Sequence, residues 1–166
     1  MNEEIFDVVN DRDEVVGQAT RAEVHARGLL HRAVHVLVFN ACGEVFLQKR
    51  SMNKDRSPGL WDSSASGHLD AGEDYDRCAA RELREELGLA VNPAPRRLFK
   101  LTAGPETDQE HLWVYRCESD GPIELNRDEI ERGDWFAVAE VTRWTESEPD
   151  QFASAFQVVW AHFIRQ

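Results

Sequence analysis

The chain has 166 residues and an ordinary globular composition, enough for a single domain with a proper core spanning residues 1–166. Its formal net charge of −12 disfavours non-specific contact with nucleic acid or an anionic membrane, since both need a positive footprint. Cys42, Cys78 and Cys117 are too irregularly spaced for a disulfide framework or zinc site, the opening Met-Asn-Glu-Glu has no signal-peptide pattern, and no apolar run reaches membrane-spanning length. These features together lead one to expect a cytoplasmic protein with free thiols.

In chain order, Ile5 to Asn10 and Glu14 to Thr20 read as a hairpin around Asn10-Asp11-Arg12-Asp13. Thr20 is placed to cap a short helix running through Arg27 and closed by Gly28. Leu29 to Phe39 is the strongest strand signal. His31, Ala33, His35, Leu37 and Phe39 face one way and Arg32, Val34, Val36 and Val38 the other, and both faces turn apolar as in an interior strand. After a turn at Asn40-Ala41-Cys42-Gly43, Glu44 to Arg50 returns as a strand. Ser51 to Gly59 is a polar loop with Lys54 and Arg56, close in sequence to Lys49 and Arg50. Lys49, Arg50 and Arg56 are candidates for steering a phosphate, a solvated charged loop being the competing explanation. Leu60 to Ser66 reads as a strand containing Trp61.

The second half of Gly67 to Leu89 reads as a helix ending at Gly88. Glu82, Glu85 and Glu86 are three and four residues apart, which brings their carboxylates to one side of that helix, while Ala79, Leu83 and Leu87 form an adjoining apolar stripe. Like charges at this spacing destabilise a bare helix, and a hard divalent cation removes the conflict. Strands are expected at Arg97 to Leu101, Glu110 to Cys117 and Glu131 to Val138. A short helix is expected at Ala139 to Trp144, then a carboxy-terminal helix of about four turns starting at Glu148-Pro149-Asp150. Strands and helices in this mixed order support an α/β sandwich with a mixed sheet between helices.

Gly67, Glu73 and Arg81-Glu82-Leu83-x-Glu85-Glu86-x-Gly88-Leu89 stand in one register that resembles the Nudix box at every defined position. The resemblance implies a Nudix fold, an α/β/α sandwich with a loop-helix-loop motif that binds magnesium or manganese and cleaves a diphosphate linkage. It implies that Glu82, Glu85 and Glu86 bind the metal, that Arg81 orients them by pairing with Glu73, and that Gly67 lets the backbone approach the metal. Outside the box the chain resembles the isopentenyl-diphosphate isomerase branch, through His25, Leu30-His31-Arg32-Ala33, Leu47-Gln48-Lys49-Arg50-Ser51, Pro58-Gly59-Leu60-Trp61 and Gly67-His68. Those isomerases carry a catalytic cysteine where this chain has Ser66, and they lack the intact glutamate pattern. Both departures point to hydrolysis.

By that alignment His25, His31, His68 and Glu110 stand where the isomerases hold a second metal. The residues show no tight ligand spacing, so the expectation taken from them is that His31 and His68 are hydrogen-bonded core residues and His25 lies on the surface. Glu110 is a candidate for a further ligand or for the catalytic base. Trp61, Trp113 and Tyr115 are candidates for stacking a nucleotide base, core packing being the alternative. The expected partner is a small diphosphate substrate, with neither nucleic acid nor membrane, and a homodimer is left open. A non-catalytic nucleotide sensor on the same fold is the other reading.

Overall fold

The computed structural model describes residues 3–166, so the first two residues of the amino-terminal Met-Asn-Glu-Glu lie outside it. Strands β1 (Ile5–Val9) and β2 (Val15–Thr20) form an antiparallel pair separate from the main sheet. Helix α1 (Arg21–Arg27) follows at once. The Thr20 hydroxyl accepts from the Glu23 amide, and Gly28 closes the helix, as the cap pattern predicts.

The main sheet has seven strands: β3 (His31–Phe39), β4 (Val45–Arg50), β5 (Trp61–Asp62), β6 (Ala65–His68), β7 (Arg96–Leu101), β8 (Glu110–Glu118) and β9 (Ile130–Phe136). Strands β3 and β8 run parallel and the other pairs antiparallel, so the sheet is mixed. The β3–β4 hairpin is paired only at Phe39 and Val45, next to its turn. Beyond that point the two strands separate. Strand β6 pairs with β3 from Ala33 to Val36, and β4 pairs instead with β5 and β9. The continuous strand predicted from Leu60 to Ser66 is therefore two strands, because the chain changes partner at Ser63-Ser64. The Ser64 hydroxyl accepts from the Val38 amide and donates to the Phe46 carbonyl, which satisfies backbone groups left unpaired at the split.

The alternation of β3 divides the core. Val34, Val36 and Val38 pack against Ala79, Leu83 and Leu87 of α2 (Tyr75–Leu87), while Leu37 and Phe39 join Leu112, Val114 and the helices α3 (Val138–Ser147) and α4 (Ser154–Phe163) on the other face. This is the expected α/β/α sandwich. The Leu29 amide donates a hydrogen bond to the Val24 carbonyl at the end of α1, so β3 starts at His31 rather than Leu29. The carboxy-terminal helix is shorter than predicted. Residues Pro149–Gln151 form a 3-10 turn, Phe152 is drawn into an extended bridge with Trp61, and only then does the ten-residue α4 begin. No described helix is long and apolar enough to cross a membrane.

Candidate active site

Helix α2 is fixed in phase at both ends. The Asp74 carboxylate accepts from the Arg77 amide, and Gly88 takes the left-handed conformation, φ 65°, that terminates it. Its polar side faces the wedge between β3 and β4. Glu82 and Glu86 are buried there, and Glu85 is exposed. Arg81 holds the group together. Its Nε and Nη2 form a two-pronged pair with Glu73 at 2.7 and 2.8 Å, and its Nη1 reaches Glu82 at 2.8 Å and Glu85 at 3.2 Å. Arg81 also donates to the His68 carbonyl at 3.1 Å, which ties the helix to β6. Oε1 of Glu86 accepts from Gln48 Nε2 at 3.1 Å and from the Ser66 amide at 2.9 Å, one partner from each side of the split sheet.

Burial pushes the Glu82 carboxyl well above the ordinary glutamate range, and the charges of Glu86 and Glu85 add to the effect against the pull of Arg81. Burial raises Glu86 as well, in spite of its bonds to Ser66 and Gln48. Two buried, mutually repelling carboxylates with an oxygen-only donor set suit a hard divalent cation. The backbone supports this arrangement at Gly67, where an added Cβ would lie 2.2 Å from Cδ and Oε1 of Glu82. Only glycine leaves that carboxylate its place.

A second cluster adjoins the first. One ligand atom from each of His25, His31 and His68 lies within 4.8 Å of the others. His31 is buried and hydrogen-bonded as expected, but His25 does not stand apart on the surface: α1, β3 and β6 bring the three rings together, with centroids 5.2 to 5.5 Å apart. Glu110, paired with His31 in the parallel β3–β8 ladder, completes the group, with His68 Nε2 at 2.8 Å and His31 Nε2 at 3.5 Å from its Oε2. The Nε2 atoms of His25 and His31 are buried and have no hydrogen-bond partner among the described residues. Unsatisfied imidazole nitrogens beside a carboxylate fit a transition metal ion. Burial, and then the neighbouring His68, lower the His25 pKa to about 4, which keeps its ring neutral as a ligand must be. Burial alone would raise the Glu110 carboxyl, but the adjoining His31 and His68 rings hold it far below the usual range. Glu110 is consequently a poor proton acceptor and better suited to ligation.

The α2 carboxylates, His68 and Glu110 line one cleft of about 400 Å³. Arg50, Lys54 and Arg56 line it too, held by Asp62, Glu129 and Asp108 respectively. Lys49 does not, because it points to the other side of β4 and pairs with Glu131 at 3.0 Å. The aromatic candidates are also elsewhere. Trp61 is 5% exposed and packed edge-on against Phe136 and Trp144, which makes it a core residue. Trp113 packs against the α2-side core beneath the Arg97 guanidinium, and Tyr115 is fully buried with its hydroxyl on Asp76. Core packing, the alternative expected for each, is what β5 and β8 give these three. His35 is buried with Nδ1 2.7 Å from Ser63 Oγ, although its ring also forms part of the cleft wall.

Sequence reasoning did not single out Gln48, Asp62 or Glu129 as site residues. Gln48 had a visible signal: it is polar within the apolar run Val45-Phe46-Leu47, at a position that is 1% exposed. Glu129 had none, since it lies in a polar connection far along the chain.

The NUDIX domain family profile matches residues 29–156. The Nudix hydrolase YfcD of Escherichia coli K12 is 36% identical over 151 residues, covering 89% of this chain and 82% of that protein. An isopentenyl-diphosphate Delta-isomerase of Pectobacterium atrosepticum is 33% identical over 159 residues, covering 93% and 88%. Among solved structures, DR0079 of Deinococcus radiodurans superposes with a TM-score of 0.83 at 29% identity, over 96% of this chain and 98% of that one. With the complete carboxylate set on α2, these likenesses place the chain in the Nudix hydrolase family, whose members act on pyrophosphate bonds and generally need divalent cations.

Proposed function

We propose that this protein is a magnesium-dependent hydrolase cleaving a diphosphate linkage in a nucleoside di- or triphosphate, or in another nucleoside diphosphate derivative, with manganese able to replace magnesium. The observation that carries the reading is the carboxylate group on α2, with Glu82 and Glu86 buried and Arg81 spanning Glu73, Glu82 and Glu85. A divalent ion bound there would neutralise phosphate oxygens and make water a better nucleophile. Glu82, Glu85 and Glu86 would hold it, and Oε2 of Glu86 is the oxygen left free by Gln48 and Ser66. Arg81 keeps the carboxylates aligned, and Arg50, Lys54 and Arg56 draw the phosphates into an otherwise acidic cleft. One of the α2 carboxylates takes the water proton, since Glu110 is held too acidic to do so. Recognition of the nucleoside is by polar groups, because none of the three aromatic candidates lines the cleft.

Ser66 supports hydrolysis over isomerisation, since its neutral hydroxyl is far less suited than a thiol to moving a proton on an allylic carbon. His25, His31, His68 and Glu110 would hold a second, softer ion that braces the cleft wall. The test is phosphate release from nucleotides, nucleotide sugars and isoprenyl diphosphates, with magnesium or manganese, for wild type and Glu86→Gln. Turnover of a nucleotide derivative that falls by orders of magnitude in Glu86→Gln is the expected result. A variant with near-wild-type rates would remove the α2 carboxylates from the chemistry.

A further inference from the structure

We propose that Arg21 plugs the three-histidine centre: in the metal-free protein it occupies the ring nitrogen of His68 that must change state when an ion binds, so ion and plug exclude one another. This rests on the second-ion reading above, and the experiment below separates the two.

Two rings of the centre are held with Nδ1 in opposite roles. His31 places Nδ1 2.8 Å from the Leu29 carbonyl, an acceptor, so Nδ1 carries a ring hydrogen, and Nε2 is left without a hydrogen-bond partner. That ring is preset for a metal. His68 is set the other way. Its Nδ1 lies 3.3 Å from Nη1 of Arg21, and a guanidinium has donors only. Nδ1 of His68 therefore carries the lone pair, and the hydrogen sits on Nε2, which donates to Glu110 Oε2 at 2.8 Å.

His68 has two ways to become a ligand, and both conflict with Arg21. Through Nε2, the ring must give up the Nε2 hydrogen. A neutral ring then carries one on Nδ1, taken up by exchange with water, and that hydrogen points at a guanidinium with no acceptor for it. Through Nδ1, the ion needs the lone pair that Arg21 already holds. In either case the Arg21–His68 contact breaks when the ion is bound. Arg21 has somewhere to go, since Nη1 is also 3.1 Å from Glu4, and Nε and Nη2 are 3.2 and 2.9 Å from Asp55. Asp55 belongs to the segment that carries Lys54 and Arg56 beside the cleft, so the plug is tethered to the phosphate-facing loop. Arg21 is the first residue of α1, fixed by the Thr20 cap, so its side chain can move while its backbone stays in place.

The test uses the full chain with excess magnesium, so that the α2 carboxylates are occupied. Cobalt(II) binding is followed by its visible absorption, and the ring hydrogens of metal-free protein by long-range proton–nitrogen NMR. Metal-free wild type is expected to show His68 protonated on Nε2, and Arg21→Ala is expected to bind cobalt about tenfold tighter, the factor matching one net hydrogen bond. Arg56→Ala is the charge control. Arg56 acts on the His25 ring at least as strongly as Arg21 does, yet its side chain pairs with Asp108 rather than with a histidine. It should gain clearly less. Equal gains in both variants would mean that charge alone is at work and would overturn the plug. So would His68 protonated on Nδ1 in metal-free wild type, or cobalt binding that is lost in His31→Ala but unchanged in Arg21→Ala. No cobalt binding by wild type or Arg21→Ala would overturn the second-ion reading and the plug together.

Discussion

Replacing Gly67 by alanine should separate folding from metal binding. The Gly67 backbone is not in the left-handed region, so alanine is tolerated conformationally, and the whole effect falls on what the new methyl meets. That is Glu82 Cδ and Oε1 at 2.2 Å and Cγ at 2.8 Å, about 1.2 Å short of ordinary contact at 3.4 Å. The obstructing atoms are the end of a side chain rather than backbone, so the fold can yield by turning the carboxylate aside. A metal site cannot yield in the same way, because ligand distances hold to about 0.2 Å. Magnesium at a hundredfold above its dissociation constant stabilises the wild type by roughly 2.7 kcal/mol. A tenfold weaker site at the same concentration keeps only about 1.4 kcal/mol, so the magnesium-induced rise in melting temperature should shrink by about half or more. The assay is a thermal melt of both proteins with chelator, with sodium at matched ionic strength and with magnesium, alongside turnover. The metal-free melting temperatures should stay close together. A full magnesium shift and unimpaired turnover in Gly67→Ala would refute the placement of Glu82 as a ligand.

Three further outcomes follow from the same geometry. Arg81→Ala should lower turnover and the magnesium shift, because Arg81 holds Glu73, Glu82 and Glu85, whereas Arg84→Ala, on the exposed side of α2, should do little; equal losses would contradict the phasing of the helix. Metal-free stability should fall as pH rises from about 4.3, the ordinary glutamate value, through neutrality, because Glu82 and Glu86 have folded-state pKa values above their unfolded ones and the stability this contributes is lost on ionisation. The magnesium-induced gain should rise over the same window, and melts across pH with and without magnesium would show whether the two trends oppose each other as required. Finally, isopentenyl diphosphate should not be converted to dimethylallyl diphosphate, with Ser66 in the place of the thiol; product formed at enzymatic rates would overturn the hydrolase reading.

The readable parts of this chain are those whose determinants are local. Glu82, Glu85 and Glu86 share one helix, so the 3.6-residue period is enough to bring them together, and the caps at Asp74 and Gly88 mark where that helix begins and ends. The alternation of β3 likewise assigns its side chains to two packed faces whatever the partner strands. Tertiary structure decided what depends on partners distant in sequence. His25, His31, His68 and Glu110 come from four different elements, and no spacing along the chain encodes their meeting. The β3–β4 split, which breaks the Leu60 to Ser66 strand and aims Gln48 at Glu86, depends on β6 taking the edge of β3 and β5 that of β4. Lys49, Trp61 and Trp113 lie outside the cleft for a related reason. A strand's period says which residues share a face, but only the packed sheet says which face looks into the cleft.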